Sequence, residues 1–436
     1  MPKVALAYTG CKLNRYEIQV ISESLEGGGF EIVPFKEKAD CYLINTCSVT
    51  NGADVSSRQL IRRARRTAPD SKVVVTGCYA QLRPDEIEKI GADLVVSNLD
   101  KERIPARIID LFDGTQPLTD NPSDREFGSR AISNMGNLTR AFVKIQEGCN
   151  RGCTYCTIWI SRGPVRSRSP EFVIREVNNL HENGYKEIVL TGVHIGKYSY
   201  DDMDLTGLLR RILKETAMPR IRLSSLYPSE IDDDLVDLIS SNPRICPHAH
   251  LSIQSGDDTI LKSMGRTYER NELIDIIEKL KSAVPGITIG ADIMVGFPGE
   301  TDKYFQNSYD LVEQTGIHHL HVFPFSPRPG TKAVNMIGAI PSREKEGRAR
   351  ILRRLGQEMK NTHLRSFMGQ ELNVLFEKRK SCPGHRLTGL TENYLRVRSE
   401  GSESLKGEII AVKPFKVEGE TLLANINASP TLSKRG

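Results

Sequence analysis

An α/β chain with a small all-β appendage is the fold class this sequence predicts, and three observations predict it. Short apolar runs rich in β-branched residues alternate with helical patterns from residue 3 to about residue 115. The alternation returns on a larger scale from residue 140 to about residue 340, and beyond 366 helical spacing gives way to short strands with turn signals. The expectation is a doubly wound parallel sheet over 1–115, a linker over 116–138, a partial (β/α)6 barrel over 139–366 and a small all-β barrel over 367–430.

In the first segment, VALAYT, CYLINT and KVVVTG read as strands, with helices over 16–25 and 56–66 between them. The stretch DGTQPLTDNPSDREFGSRAISNMGN is crowded with Gly, Pro, Asn, Asp and Ser and reads as the linker. Six strands follow: AFVKIQ, EIVLTG, RIRLSS, HAHLSIQ, ITIGADIMVG and HLHVFPF, separated by helical patterns such as FVIREVNNLHEN and ELIDIIEKLKSA. Residues 343–365 form a basic helix, and ELNVLFE, RLTGLT, NYLRVRSE, GEIIAVKPFKVEG and TLLANI supply the small barrel. Residues 366–436 hold 11 Lys and Arg against 8 acids, so this end is the more basic.

The 436 residues exceed one ordinary core, and 39% hydrophobic with 26% charged residues is a globular balance. No apolar run approaches the roughly 18 residues of a membrane span, the N-terminus reads as a strand and not a signal peptide, and a polar tail argues against an anchor. The expectation is therefore a cytoplasmic protein with no membrane association. Sixty Lys and Arg against 55 acids leave +5, nearly neutral at this size, so any polyanion must be met by local patches. Nine cysteines in a reducing compartment point to metal or redox chemistry and not to disulfides.

Two cysteine sets carry that chemistry. Cys149, Cys153 and Cys156 place three soft ligands within eight residues, on a loop directly after the first strand of the expected barrel. Three thiolates leave one metal position open, as a catalytic centre needs, and favour an iron–sulfur cluster; zinc completed by a distant His or Cys is the alternative. Cys11, Cys47 and Cys78 each follow a strand of the first sheet. If those strands are parallel, the three thiols share the sheet edge where open α/β folds bind ligands, and a second cluster is favoured over buried free cysteines or a reactive thiol. Cys41, Cys246 and Cys382 read as plain structural cysteines.

Cys149-x3-Cys153-x2-Cys156 resembles the radical S-adenosylmethionine (SAM) signature. The settings Thr-Gly-Cys11-Lys, Asn-Thr-Cys47-Ser-Val-Thr and Val-Thr-Gly-Cys78-Tyr-Ala-Gln resemble the N-terminal domain of the methylthiotransferases. The small barrel is similar to their TRAM domain, and the resemblance runs from about residue 3 to 428 in the family's domain order. It implies two [4Fe–4S] clusters, one on each cysteine set, and two molecules of S-adenosylmethionine per turnover. One methylates a sulfur held at the auxiliary cluster. The other is cleaved to a 5′-deoxyadenosyl radical that opens an unactivated C–H bond, which no acid–base group could do. A reductase system is implied as the electron donor.

Within the family, Gly10 to Glu17 and Thr50 to Ala64 resemble the branch acting on tRNA N6-threonylcarbamoyladenosine at position 37 of the anticodon stem-loop. The implied product carries a methylthio group at carbon 2. The isopentenyladenosine branch usually has Gln and Met-Asn after the first cysteine, which this chain lacks; that substrate and a ribosomal-protein aspartate are the runners-up. A non-enzymatic zinc-containing RNA-binding protein is the rival of another class.

The charges fit RNA. Arg58, Arg62 and Arg66 recur at i, i+4 on one helix; Lys378, Arg379 and Lys380 follow the first strand of the small barrel; Arg396 and Arg398 share a strand face. For any single arginine a solvated surface is the plainer reading. Phe376 and Tyr394 read equally as stacking platforms or as core. Thr191, Gly192, Gln254, Ser255 and Gly296 end barrel strands and are the candidate cofactor or nucleoside contacts. His248 and His250 read as hydrogen-bonded interior groups. The chain departs from family patterns at Thr191-Gly192-Val193, where Gly-Gly-Glu is common, and at Ser252, where Pro is frequent.

Overall fold

The computed structural model describes residues 1–113, 127–128, 130–378 and 386–427. Most of the expected linker, together with Arg379, Lys380 and Cys382, lies outside the described residues.

β1 (Lys3–Tyr8), β2 (Glu31–Val33), β3 (Cys41–Thr46), β4 (Lys72–Gly77) and β5 (Leu94–Val96) form one parallel sheet in the order β2-β1-β3-β4-β5. Helices α1 (Lys12–Gly27), α2 (Asn51–Thr67), α3 (Cys78–Leu82), α4 (Pro84–Lys89) and α5 (Ile104–Asp113) connect and cover it. The period of two explains why both faces are dry. Tyr42 and Ile44 join Ile61, Val73 and Val75 in one core, while Leu43 joins Val4, Leu25, Val74 and Ile108 in the other. β2 and β5 have only three residues each, too few to show a period in sequence. α2 starts earlier than expected because the Thr50 hydroxyl accepts from the Ala53 amide at 3.2 Å, an N-cap that the apolar pattern does not mark.

The central unit carries β6 (Ala141–Lys144), β7 (Glu187–Thr191), β8 (Arg220–Leu223), β9 (His248–Gln254), β10 (Thr288–Val295) and β11 (His319–Pro324). Three-stranded parallel sheets β8-β7-β6 and β9-β10-β11 are bridged at Ile221–Ile245 and Leu226–Leu251, giving an arc in chain order. No described ladder joins β11 back to β6, so the barrel is partial. Its helices include α6 (Ile158–Arg162), α7 (Pro170–Glu182), α8 (Leu205–Glu215), α9 (Asp233–Ser241), α10 (Asp258–Met264), α11 (Arg270–Ala283), α12 (Asp302–Thr315) and the 25-residue α13 (Ser342–Ser366). The described end of the expected linker is not free chain. Ile132 and Met135 are buried in the barrel core, and the Ile132 amide donates to Glu176 Oε1 at 2.8 Å. Polar neighbours hide these two anchors in the composition.

β12 (Leu372–Phe376), β13 (Arg386–Thr391), β14 (Arg396–Glu400), β15 (Ile409–Glu418) and β16 (Thr421–Ile426) close into a barrel in the order β12-β13-β14-β16-β15. It docks beneath the arc, where β8 begins. Arg220 donates to the Asn373 carbonyl at 2.9 Å, Arg222 to that of Glu392 at 2.9 Å, and Asn393 to that of Gly286 at 3.0 Å. Among the described residues no helix is long and apolar enough to cross a membrane.

Candidate functional site

The loop after β6 is built to present its thiols. Gly148 has φ +75°, and a Cβ there would fall on the Pro164 carbonyl, so only glycine lets the chain turn. The Cys149 amide then donates to the Gly163 carbonyl at 3.0 Å, and the Thr154 amide to that of Met264 at the end of α10 at 3.1 Å. The Ile158 amide, in the first turn of α6, donates to Cys156 Sγ at 3.3 Å. Burial pushes the Cys156 thiol up to about 12, against that donor, and both Cys149 and Cys153 add to the rise, so the three sulfurs share one electrostatic site.

A shell of polar side chains braces this loop. Cys149 Sγ lies 3.6 Å from His194 Nδ1, and His194 Nε2 lies 2.7 Å from Glu230 Oε2. The His194 amide donates to Gln146 Oε1 at 2.7 Å. Arg151 donates to Glu230 Oε1 at 2.5 Å and stacks 3.7 Å over the Tyr227 ring. Arg266 lies 4.9 Å over that ring and donates to the Tyr155 hydroxyl at 2.5 Å. This leaves two guanidinium groups beside the thiols, a cationic setting that suits thiolates and anionic ligands.

The second set gathers where the strand order of the first sheet reverses, between β1 and β3, which is the crevice of an open α/β fold. Cys11 N-caps α1, Cys47 follows β3 and Cys78 opens α3. Gly10 has φ +89°, and a Cβ there would meet Cys47 Sγ at 2.5 Å. Burial pushes the Cys47 thiol up to about 11, and the neighbouring Cys78 and Cys11 sulfurs add to it, so these three also share a site. Cys11 is exposed and Cys47 and Cys78 are buried. Cys41 and Cys246 are buried.

Arg162, the last residue of α6, joins the two sets. Its Nε donates to Cys78 Sγ at 3.2 Å, one amino group donates to Glu17 at 2.5 Å and to Glu147 at 3.1 Å, and the other to Asn14 Oδ1 at 2.6 Å. Lys101 and Lys144 also pair with Glu17, and Lys144 with Glu147. Burial would raise Glu17, but Arg162, Lys101 and Lys144 hold it well below the usual carboxylate range. Three cations face two carboxylates, and the excess positive charge points at the Cys78 sulfur. A second tie is Arg328, which donates to Ser48 and Asp54 at 2.6 Å each and pulls the chain after β11 onto the segment after Cys47.

Between these parts lies a cavity of about 450 Å³. Cys149, Cys153 and Cys156 line one wall, and Val49 and Thr50, just beyond Cys47, line another. Tyr155, Ile158, Met294, Phe323 and Phe325 make much of the surface apolar. Of the five strand-end candidates, only Gln254 lines it. Gln254 sits at φ +72°, and among the described residues its buried Oε1 has no hydrogen-bond partner, a strained residue holding an acceptor ready. Ser255 faces α12, where its hydroxyl lies 3.4 Å from that of Ser308. A Cβ at Gly192 would press on Gln146, and one at Gly296 on Lys345. Thr191 is buried inside β7. These four shape the site from behind and do not face the cavity. Among the described residues no three His, Cys, Asp or Glu side chains converge to hold a single metal ion; bonds of about 2.3 Å to one zinc would draw thiolates much closer together than the wider base of a cluster does.

Arg62, Arg66 and Arg396 are exposed, and Lys378 is exposed with its amine 5.1 Å over the Tyr185 ring. Arg58 instead donates to the Tyr79 hydroxyl at 2.8 Å, and Arg398 to Glu418 at 2.9 Å. Phe376 is fully buried in the small barrel and stacks on nothing outside it. Tyr394 turns inward and lies 4.7 Å from the His248 ring. His248 is buried, with Nδ1 unpartnered among the described residues, while His250 Nδ1 lies 3.1 Å from the Ser225 hydroxyl. The sequence reading missed Arg162, Glu17, Lys101, Glu147, His194 and Glu230. A Glu or Lys inside an amphipathic helix looks like surface until its partners are known.

Residues 143–312 match the radical SAM superfamily, and residues 3–97 match a family described as "Uncharacterized protein family UPF0004". The threonylcarbamoyladenosine tRNA methylthiotransferase MtaB of Bacillus subtilis (strain 168) is 38% identical, over 95% of this chain and 94% of its own length. The Thermotoga maritima protein of the same name is 36% identical over 96% of each. Among solved structures, the radical SAM methyltransferase TsrM of Kitasatospora setae aligns with a TM-score of 0.59 at 17% identity, covering 76% of this chain and 77% of that one, which is a likeness of fold. Identity at this level along almost the whole chain, with a thiol set in each of the two matched regions, places the protein in the radical SAM methylthiotransferase family.

Proposed function

We propose that this enzyme inserts a methylthio group at carbon 2 of N6-threonylcarbamoyladenosine, at position 37 beside the tRNA anticodon. Cys149, Cys153 and Cys156 would hold the radical-SAM [4Fe–4S] cluster, and Cys11, Cys47 and Cys78 an auxiliary one. The observation that carries the reading is the single cavity walled by the first thiol set and by the segment that follows Cys47. The donor chemistry fits: each set is three thiols, with a backbone amide on Cys156 and a guanidinium on Cys78 to balance sulfide charge. When bound, the clusters and S-adenosylmethionine, two per turnover, would supply the electron, the carbon radical and the sulfur.

The chain's own residues do the rest. His194, held by Glu230, fixes Cys149. Arg151 and Arg266 offer charge to an anionic group beside the loop. Gln254 offers its free acceptor to a donor in the cavity, such as an amine of the cofactor or nucleoside. Tyr155, Phe323 and Phe325 keep water from a reactive carbon centre. Arg62, Arg66, Lys378, Arg379, Arg396 and Arg398, with Arg58 behind them, would grip the anticodon stem-loop through phosphates. In this reading the chain works in the cytoplasm with a reductase system as electron donor, and its working units are 1–115, 139–366 and 367–430.

The test is anoxic incubation of the iron-loaded enzyme with reductant, S-adenosylmethionine and tRNA bearing N6-threonylcarbamoyladenosine, read by nucleoside mass spectrometry. The 2-methylthio nucleoside is expected, from protein holding about eight irons per chain. Loaded protein that cleaves S-adenosylmethionine but leaves this nucleoside unchanged would refute the substrate assignment.

A further inference from the structure

We infer that Lys12 reads the carboxylate of the threonylcarbamoyl group, so that this one ammonium sets the enzyme's choice of modified adenosine. The inference rests on the substrate proposed above.

Lys12 opens α1 directly after Cys11. Its side chain is solvent-accessible. The charges acting on it are those of Tyr394, Arg140, Arg222 and Asp292, and it acts in turn on His248 and His250. Those residues belong to β8, β9 and β10, to the segment just before β6 and to the top of the docked small barrel. The space Lys12 faces is therefore the hollow of the partial barrel. Asp292 also lines the cavity at the Cys149 set. Arg140 and Tyr394 line a second cavity of about 250 Å³ against the small barrel, together with Lys360 and Arg396. Lys12 thus stands between the side where RNA would be gripped and the side where the thiols lie.

The other charges near it are already matched. Glu187 takes Arg222 at 2.7 Å and Arg140 at 3.7 Å. Asp292 lies 2.8 Å from His321 Nδ1, whose pKa that hydrogen bond raises. Among the described residues no hydrogen bond or ion pair reaches the Lys12 ammonium. An ammonium that reaches solvent and has no partner is placed to take an incoming carboxylate. The Cys149 set has cations of its own in Arg151 and Arg266, which would meet the carboxylate of S-adenosylmethionine there. RNA phosphates would remain outside with the backbone. The group that enters with the base is its N6 substituent, and on threonylcarbamoyladenosine that substituent ends in a carboxylate. An isopentenyl group has no charge to offer and would leave Lys12 bare.

The test uses iron-loaded enzyme and three anticodon stem-loops. One carries N6-threonylcarbamoyladenosine, one the same nucleoside with its carboxylate capped as the methylamide, and one unmodified adenosine. Wild-type enzyme should favour the free acid over the amide by about tenfold to a hundredfold in kcat/KM, the range of a charge-assisted hydrogen bond. Lys12→Gln should abolish the preference for the free acid over the amide, while Lys12→Arg should restore most of it. Iron content is measured for each variant, because Lys12 adjoins Cys11. Equal wild-type rates on acid and amide would overturn the inference, as would a Lys12→Gln variant that keeps the preference. Equal losses on both substrates would make Lys12 a phosphate contact or a structural residue and overturn it too. If wild-type enzyme modifies only the unmodified-adenosine stem-loop, the substrate reading falls first and this inference with it.

Discussion

Replacing Arg162 by Met tests whether the buried charges at the thiol sets hold the first sheet to the barrel. The side chain is 2% exposed and makes its bonds to Glu17, Asn14, Glu147 and Cys78, three of them across that junction. Removing one partner of a buried ion pair costs about 3–5 kcal/mol, because the other is left in low dielectric. Lys101 and Lys144 remain on Glu17 and Glu147, so the lower end, about 3 kcal/mol, applies here. A 436-residue chain unfolds with an entropy of roughly 0.9 kcal/mol per degree, so a cooperative transition should fall by only about 3 °C. Anoxic thermal melts followed by circular dichroism would resolve this. The double variant Arg162→Met/Glu17→Gln should lose at least about 1 kcal/mol less than the sum of the singles. Strict additivity, or a melt within 1 °C of wild type, would show that the network is not what couples the two parts.

Three more outcomes follow from the geometry. Cys153→Ala should abolish 5′-deoxyadenosine release, whereas Cys47→Ala should spare some of it and stop sulfur insertion; product from both variants would undo the assigned roles. Gly148→Ala meets both a positive φ and the Pro164 carbonyl, so iron bound per chain should fall by about half, read by metal analysis, with Gly152→Ala, whose Cβ meets nothing within 4 Å, as the milder control. Arg62→Glu/Arg66→Glu should weaken tRNA binding at low salt and lower the slope of log K against log salt by about 2, without changing iron content; an unchanged slope removes α2 from the RNA-binding surface.

The strands, the thiols and the layer order could be read from the chain because each has a local signature. A β-branched run is visible over six residues, and Cys149, Cys153 and Cys156 lie within eight. Cys11, Cys47 and Cys78 were legible only through the strands they end, since parallel strands bring their C-terminal ends to one edge. The polar shell was not legible. His194 is one of nine histidines, and its task depends on Glu230, 36 residues on. Arg162 sits in a five-residue helix, and its partners come from α1, α3 and the chain after β6. Long-range pairing of that kind leaves no period. The strand-end rule likewise found Gln254 but not which of its neighbours turn outward, since that depends on a positive φ at one residue.

The long helix α13 starts near the rim of the cavity, where Lys345 donates to the Phe325 carbonyl, and ends beneath the arc, where His363 lies 2.9 Å from the Thr288 hydroxyl. Twenty-five residues span about 37 Å. The small barrel begins six residues after the helix stops and is bolted to β8 through Arg220 and Arg222. In the proposed reading the helix would work as a caliper: an RNA clasped by the far jaw would be presented to the thiols at one offset, and a nucleotide one step along the strand would fall short of them or overshoot.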